Sequence, residues 1–438
     1  MIRSNANPVL PRSRPVARWL HGLALAAVLS SSGSWAAEMS VADFRQTLGI
    51  NTHLNYTDGD YNHANKVIEA LRYLGIFHIR DGAPFRGSQG QGALARAAKA
   101  GLKFNFVFQG NRPPAATIDD LLAFNAANPG SIASLEAPNE VNNWPLSYGL
   151  MKDVPRSNSY PATRAFVRDL RRLLRATPLR RTPLLAPSWV SVPTIDAADA
   201  DAGNAHPYPR NGDQASRQMA IEVGKQKAAI PGKPVFITET GYNDATNIKA
   251  EAVDRDTAAK LILNLYAAYA AAGIERTFPY QLLDAYPDPT GKSWEKHWGL
   301  FDTSWQPKPA ARAIHNLTAI LSDGTAMRSA SRKIQARVES GPPDLKLLEL
   351  ARPDGATLIL LWREADLWDQ ANRRPLPVEP ATVRLDFAHG ADLTVYSPVT
   401  GAEPVDRSSG ASLAVPIGDS MMIVEAKPLD DAGRGKGR

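Results

Sequence analysis

The sequence predicts an α/β fold, a (β/α)8 TIM barrel carrying a small C-terminal antiparallel β-sandwich. Three observations predict it. Short apolar runs alternate with helical stripes eight times over about 280 residues, as a strand–helix series requires. Apolar residues make up 44% and charged residues 21% of the 438, which suits a large core and argues against a mostly disordered chain. After Asp323 the helical stripes stop and six strand-like segments follow one another.

The first strand is predicted at Leu48–His53. His63–Leu74 then places Val67, Ile68, Leu71 and Leu74 on one helical face, with Gly75 as its stop. Ile76–Arg80 is the second strand, and the alanine-rich Gly92–Ala100 the helix after it. Lys103–Phe108 alternates as a third strand, and Thr117–Asn125 opens a helix with a Thr cap and an acidic first turn. Ser134-Leu-Glu-Ala-Pro-Asn-Glu140 reads as the fourth strand. Ala162–Arg175 is an arginine-rich helix with Phe166, Leu170, Leu173 and Leu174 inward, its basic face most simply solvated. Pro183–Trp189 is the fifth strand and Gly203–Tyr208 the short sixth, followed by a helix at Gln214–Lys227. Pro234-Val-Phe-Ile-Thr-Glu-Thr240 is the seventh strand. A long helix, Asp254–Ala272, leads to the eighth at Arg276–Asp284, and Pro309–Leu321 closes the series.

The sandwich strands are predicted at Lys333–Val338, Leu345–Leu350, Thr357–Trp362, Ala381–Phe387, Leu393–Ser397 and Leu413–Ala426, with a Pro-Asp-Gly hairpin turn ending at Gly355. The expected organisation is a signal peptide over 1–37, the barrel over 38–323, the sandwich over 324–428 and a disordered polar tail over 429–438. The N-terminal reading rests on order. Basic residues ending at Arg18 precede the apolar run Trp19–Leu29, then small residues with Ser34 and Ala36 before the cut. That run is short for a membrane span, so the expectation is a secreted or periplasmic protein with no stable membrane insertion after cleavage. Removing the four arginines of 1–37 from the net charge of +6 leaves +2, so the basic balance gives no reason to expect nucleic acid. There is no cysteine, which excludes disulfides and thiolate chemistry.

Catalytic groups of such a barrel sit at the C-terminal ends of its strands. Glu140 and Glu239 are expected there, with Arg80, Asn139, His206 and Tyr208. A glutamate near a strand is most often a surface or ion-paired residue. Two at the ends of strands four and seven, one preceded by asparagine, are less easily explained so. Paired carboxylates are what double-displacement glycoside hydrolysis requires, one to protonate the leaving oxygen and one to attack the sugar.

Asn139-Glu140, Glu239, Arg80, His206-Pro-Tyr208, and Trp298-Gly-Leu-Phe-Asp302 followed by Pro307-Lys-Pro309 together resemble glycoside hydrolase clan A. With Gly49-Ile-Asn-Thr-His53 and the appended sandwich, the chain is most like family 39 and related families such as 5, 30 and 79. The resemblance covers roughly residues 44–427. It implies a retaining enzyme cleaving a β-type bond of a polysaccharide, oligosaccharide or glycoconjugate, with Glu140 as acid/base and Glu239 as nucleophile. It also implies that Asn139 binds the 2-hydroxyl of the sugar. Arg80, Tyr208 and Asn139 are expected to hold Glu239 as an anion, and burial beside Glu239 to raise the pKa of Glu140.

For Arg80 the bland alternative is a pairing with Asp81, and for His206 a hydrogen-bonded interior histidine. Trp144 and Trp298 are expected as sugar platforms, since C–H faces of sugars stack on aromatic rings; the alternative is loop packing. The clan's tryptophan at the end of strand eight is replaced by Phe278-Pro-Tyr-Gln-Leu, where Tyr280 or Gln281 substitutes. No metal is expected, because the histidines lack ligand spacing, although Asp284–Asp288 and Asp58–Asp60 are possible calcium loops. No cofactor is expected, because no glycine-rich phosphate loop follows a strand. A competing reading is a non-catalytic glycan-binding or cell-envelope protein on a glycosidase barrel. Sugar identity, endo or exo action and oligomeric state are not set by the sequence.

Overall fold

The computed structural model describes residues 39–157, 159–188, 195–245, 247, 251–322 and 334–429. The expected signal peptide, Trp189, the boundary at 323 and most of the expected tail lie outside these residues. Two parallel sheets occupy the first two thirds of the chain. One contains β1 (Gly49–Asn51), β2 (His78–Gly82), β3 (Lys103–Val107), β4 (Ile132–Glu136) and β5 (Leu184–Leu185), each paired with the next. The other contains β6 (Gly203–Ala205), β7 (Val235–Thr240) and β8 (Thr277–Pro279), with β7 central. Single parallel bridges, Leu48 with Thr277 and Leu185 with Ala202, join the two sheets at both margins.

Both faces of these strands are covered, so polar residues such as Arg80, Asn105 and Glu136 are buried beside the apolar ones. Ile50, Ile79, Phe104, Leu135, Leu184 and Ile237 are all fully buried. Helices follow most strands. After β1 comes α2 (Ala64–Leu74), which turns out at Gly75 in the left-handed region, φ 66°. Then come α3 (Gly90–Lys99) after β2, α4 (Pro114–Ala127) after β3 and α5 (Pro161–Arg175) after β4. α6 (Ala215–Ala229), α7 (Arg255–Ala271) and α8 (Pro309–Ser322) complete the series. α5 has a clean division, with Phe166, Val167, Leu170 and Leu174 buried and its arginines mainly outside. α7 is apolar all round and buried along Leu261–Ala270, because neighbouring helices and the C-terminal sheet cover it.

One helix was not anticipated: α1 (Val41–Thr47), whose first turn is capped by Ser40 accepting from the Asp43 N–H. Strand bounds also differ. The fourth strand ends at Glu136, so Glu140 stands in the turn beyond it. Ser147–Tyr148 and Met151–Lys152 form a short hairpin between β4 and α5.

Six C-terminal strands pair into one sheet, and Trp368–Asp369 and Arg374–Pro375 form a separate short hairpin. The six are β9 (Ala336–Ser340), β10 (Leu345–Ala351), β11 (Thr357–Arg363), β12 (Ala381–Tyr396), β13 (Pro404–Ile417) and β14 (Met422–Pro428). Two expected strands, 381–387 and 393–397, are halves of β12, whose register with β13 shifts between Asp386 and Ala391. Met39–Ser40 adds a parallel edge beside β10. β11 shows why its sequence is continuously apolar: Leu358, Leu360 and Trp362 pack into the main core, and Ile359 and Leu361 into the sheet's own core with Val383, Leu385 and Val424.

Candidate active site

The polar chemistry starts inside the parallel strands. Arg80 on β2 is 5% exposed and spends all five N–H donors. Nε and Nη2 grip Glu136 Oε2 and Oε1, both at 2.8 Å, in a bidentate fork. Nη1 donates to Asn51 Oδ1 at 2.9 Å and Glu239 Oε1 at 2.7 Å, and Nη2 also to Asn139 Oδ1 at 2.7 Å. The expected alternative, a pairing with Asp81, does not form; Asp81 accepts from Thr52 Oγ1 and the Leu54 N–H.

Glu136 is the residue that sequence reasoning missed. It is fully buried on the last position of β4, accepts from Asn105 Nδ2, and has Thr238 Oγ1 at 3.2 Å from its Oε1. Burial works to raise its carboxyl, and the Arg80 charge and hydrogen bonds overcome this and lower it. Arg80 is therefore shared between two carboxylates, one sealed in the interior and one at the surface of the site.

That second carboxylate, Glu239, sits at the penultimate position of β7 with its side chain 13% exposed. Its other oxygen, Oε2, accepts from Tyr208 Oη at 2.9 Å. Burial and the Glu239 charge push the Tyr208 hydroxyl well above its ordinary range, so it stays a donor. Asn139 does not bond Glu239 as expected; its Oδ1 takes Arg80 and Ser188 Oγ, which leaves the NH2 for the groove it lines.

Glu140 lies in the left-handed backbone region, φ 39°, strain of the kind concentrated at functional turns. Its N–H donates to Ser188 Oγ at 2.9 Å. Its Oε1 lies 3.0 Å from His206 Nδ1, and Oε2 accepts from Asn143 Nδ2 at 3.1 Å. His206 is 3% exposed, and its Nε2 lies 2.9 Å from Thr238 Oγ1. The Thr238 hydroxyl hydrogen goes to an acceptor-only oxygen, Asn204 Oδ1 at 2.7 Å, so Thr238 accepts from His206 Nε2–H. The Nδ1–Oε1 contact then holds one proton, on the imidazole or on the carboxyl.

The expectation of a raised Glu140 is corrected by this contact. Burial does act upward, but the His206 hydrogen bond and charge, with Asn143 and Arg80, outweigh it and hold the carboxyl at about 2. Glu239 was the neighbour considered in the sequence, whereas His206 is the neighbour that touches. One donor atom each of Glu140, His206 and Glu239 lie within 4.8 Å of one another. A metal there would compete with Arg80 and Tyr208, which already take both oxygens of Glu239. A second such group, Asp244, Asp284 and His297, surrounds the Lys308 ammonium, 2.9 Å from Asp244 Oδ2 and 2.7 Å from Asp284 Oδ2.

The site opens into a groove of about 950 Å³ over the loops after β1 to β4. Trp144, 70% exposed, lines it. Trp298 is different. It is 7% exposed, with Tyr208, Tyr280 and Trp294 packed edge-on around it, so it backs Tyr208 instead of offering an open platform. Of the two candidates at strand eight, Gln281 is turned inward to accept from Tyr61, and Tyr280 borders the site beside His53. Glu295 also faces the pair: burial, then the charges of Glu239 and Glu140, raise its carboxyl.

No family model matches the chain, and no curated protein matches it in sequence. Solved structures do match. A family 39 glycoside hydrolase from the gut symbiont Bacteroides cellulosilyticus WH2 superimposes with a TM-score of 0.58 at 14% identity, over 89% of this chain and 82% of that one. The fold is that of the family 39 glycoside hydrolases. A monomeric β-xylosidase from Caulobacter crescentus CB15 matches with a TM-score of 0.54 at 13% identity, over 87% of this chain and 96% of that one. The GH39 enzyme from Xanthomonas axonopodis pv. citri gives 0.52 at 13% identity, over 90% and 97%. The resemblance of the sequence motifs to clan A, and within it most to family 39, thus extends to the backbone.

Proposed function

We propose that the protein is a retaining glycoside hydrolase that cleaves a β-type glycosidic bond of a polysaccharide, oligosaccharide or glycoconjugate. One observation carries this reading: two carboxylates with oxygens within 4.8 Å of each other at the mouth of a groove, Arg80 and Tyr208 donating to Glu239 and His206 closest to Glu140. Oxygens this close suit double displacement, whose two carboxyl groups stand nearer together than those of an inverting mechanism. The two bridges that join the parallel sheets support reading the eight strands as one closed barrel, and the bent β12–β13 ribbon supports reading the C-terminal sheet as a folded sandwich.

In the first step Glu239 Oε attacks the anomeric carbon while the glycosidic oxygen takes the proton held between Glu140 and His206. The carbon–oxygen bond to the leaving group breaks, and a glycosyl ester with Glu239 forms. In the second step water attacks the same carbon, gives its proton back to the Glu140–His206 pair, and the ester bond breaks. Arg80 and Tyr208 stabilise the carboxylate as it departs, and the Asn139 NH2 is the donor placed for the 2-hydroxyl. The segment 1–37 would direct this activity outside the cytoplasm.

Proton NMR of the first product formed from a β-aryl glycoside tests the proposal. Initial appearance of the β-anomer is expected. Initial appearance of the α-anomer would overturn double displacement, and absence of cleavage across a broad glycoside panel would favour a glycan-binding protein.

A further inference from the structure

We infer that the protein binds a neutral polysaccharide through a second sugar-binding depression remote from the carboxylate pair, and so acts within chains. This rests on the glycosidase reading above. A hollow of about 420 Å³ adjoins the main groove and shares Asn55, Gln109 and Asn111 with it. Neither Glu140 nor Glu239 lines this hollow. Phe85, Arg112 and Thr117 line it and do not line the main groove, so it extends the groove beyond the shared residues.

Three features indicate what it takes. First, Thr117 is only 2% exposed, yet its Oγ1 has no hydrogen-bond partner among the described residues, and neither has the buried Asn55 Oδ1. Buried polar atoms left unpaired are costly, and a ligand hydroxyl in the hollow would pair them. Second, Phe85 is 54% exposed beside the hollow, an aromatic ring of the kind that stacks on sugar C–H faces. Third, the hollow carries no uncompensated charge. Its one charged side chain, Arg112, donates to Asp120 Oδ2 at 2.6 Å and lies over the Phe85 ring at 4.5 Å. Amides, a hydroxyl and an aromatic ring without net charge fit an uncharged, polyhydroxylated ligand. Together with Tyr56 and Trp144 along the main groove, 45% and 70% exposed, this makes a path for several consecutive sugar units.

The test is the dependence of kcat/KM on chain length, measured with nitrophenyl glycosides of neutral β-linked gluco-, xylo-, manno- and galacto-oligosaccharides from one unit to six. In at least one series kcat/KM should rise by roughly tenfold or more as the hollow is reached. Thr117→Val and Phe85→Ala should each remove roughly fivefold to tenfold of that rise, with far less effect on the single-unit glycoside. Thr117→Val also separates binding from structure. If the hydroxyl is only a buried defect, the variant keeps or gains thermal stability and cleaves long and short substrates as before, and the inference fails. A flat length profile in the wild type, or a larger rise with an acidic oligosaccharide series, overturns it while leaving the glycosidase reading intact. Absence of cleavage across the whole panel overturns both.

Discussion

Two buried ion clusters stand near the ends of the parallel strands, built on the same plan and opening differently. In one, Arg80 lies between Glu136 and Glu239; in the other, Lys308 lies between Asp244 and Asp284. Each joins carboxylates from different segments of the chain to one nearly buried cation. The difference is access. Around Lys308, the Gly299 N–H donates to Asp284 Oδ1 and Arg255 Nε to Asp244 Oδ2, and both aspartates are sealed. Around Arg80, Glu239 keeps an edge on the groove, with Arg80 and Tyr208 as hydrogen-bond donors and His206 Nδ1 3.6 Å from its Oε2. A buried salt bridge is weak evidence for function. What marks the Arg80 cluster is that one of its two acids faces open space while the other neutralises the cation from behind.

The comparison can be broken by removing each cation. Arg80→Met leaves Glu136 buried and unpaired, so it should cost about 3–5 kcal/mol in denaturant unfolding and abolish turnover. Lys308→Met should cost a similar amount in unfolding, yet retain more than about a tenth of kcat/KM at a temperature where it is folded. Equal losses of activity in two folded variants would erase the distinction. Tyr208→Phe sharpens it: loss of one donor to Glu239 should lower kcat roughly tenfold to a hundredfold with little change in stability.

The smallest effect is in pH. His78 is 7% exposed, and burial, then Arg276 and Lys103, hold its pKa near 3. Its folded value is depressed, so the unfolded chain binds the proton first. Stability is complete above the ordinary histidine value of about 6.5 and falls as pH drops from there toward 3. His78→Gln should therefore reduce the loss of unfolding free energy between pH 7 and 5 by roughly 2 kcal/mol at most.

Much of the fold and part of the site were legible in the sequence, for a local reason. Apolar runs that end in a polar residue mark the C-terminal ends of buried strands, which places Arg80, Glu239, His206 and Tyr208 without knowledge of contacts. Glu136 was invisible because it looks like an ordinary strand glutamate until Arg80, 56 positions earlier, is seen against it. The same limit applies to Glu140. Pairing it with Glu239 suggests a carboxyl raised by that charge and by burial, and only the fold brings His206, 66 positions later, to within 3.0 Å. Trp298 reads as a sugar platform from its place in the loop after the eighth strand, and packing by Tyr208, Tyr280 and Trp294 encloses it. In the C-terminal sheet the expected strand at Leu413–Ala426 divides between β13 and β14, and the two expected at 381–387 and 393–397 join as β12.

The central claim is that the exposed acid of the Arg80 cluster is the nucleophile. Glu239→Ala assayed on an activated β-aryl glycoside, with and without azide, tests it most directly. The account predicts a loss of roughly a thousandfold or more without azide, and with azide a recovery of turnover that yields the α-glycosyl azide, because the small anion attacks from the vacated carboxylate position. Full activity without azide, or formation of the β-glycosyl azide, would contradict it.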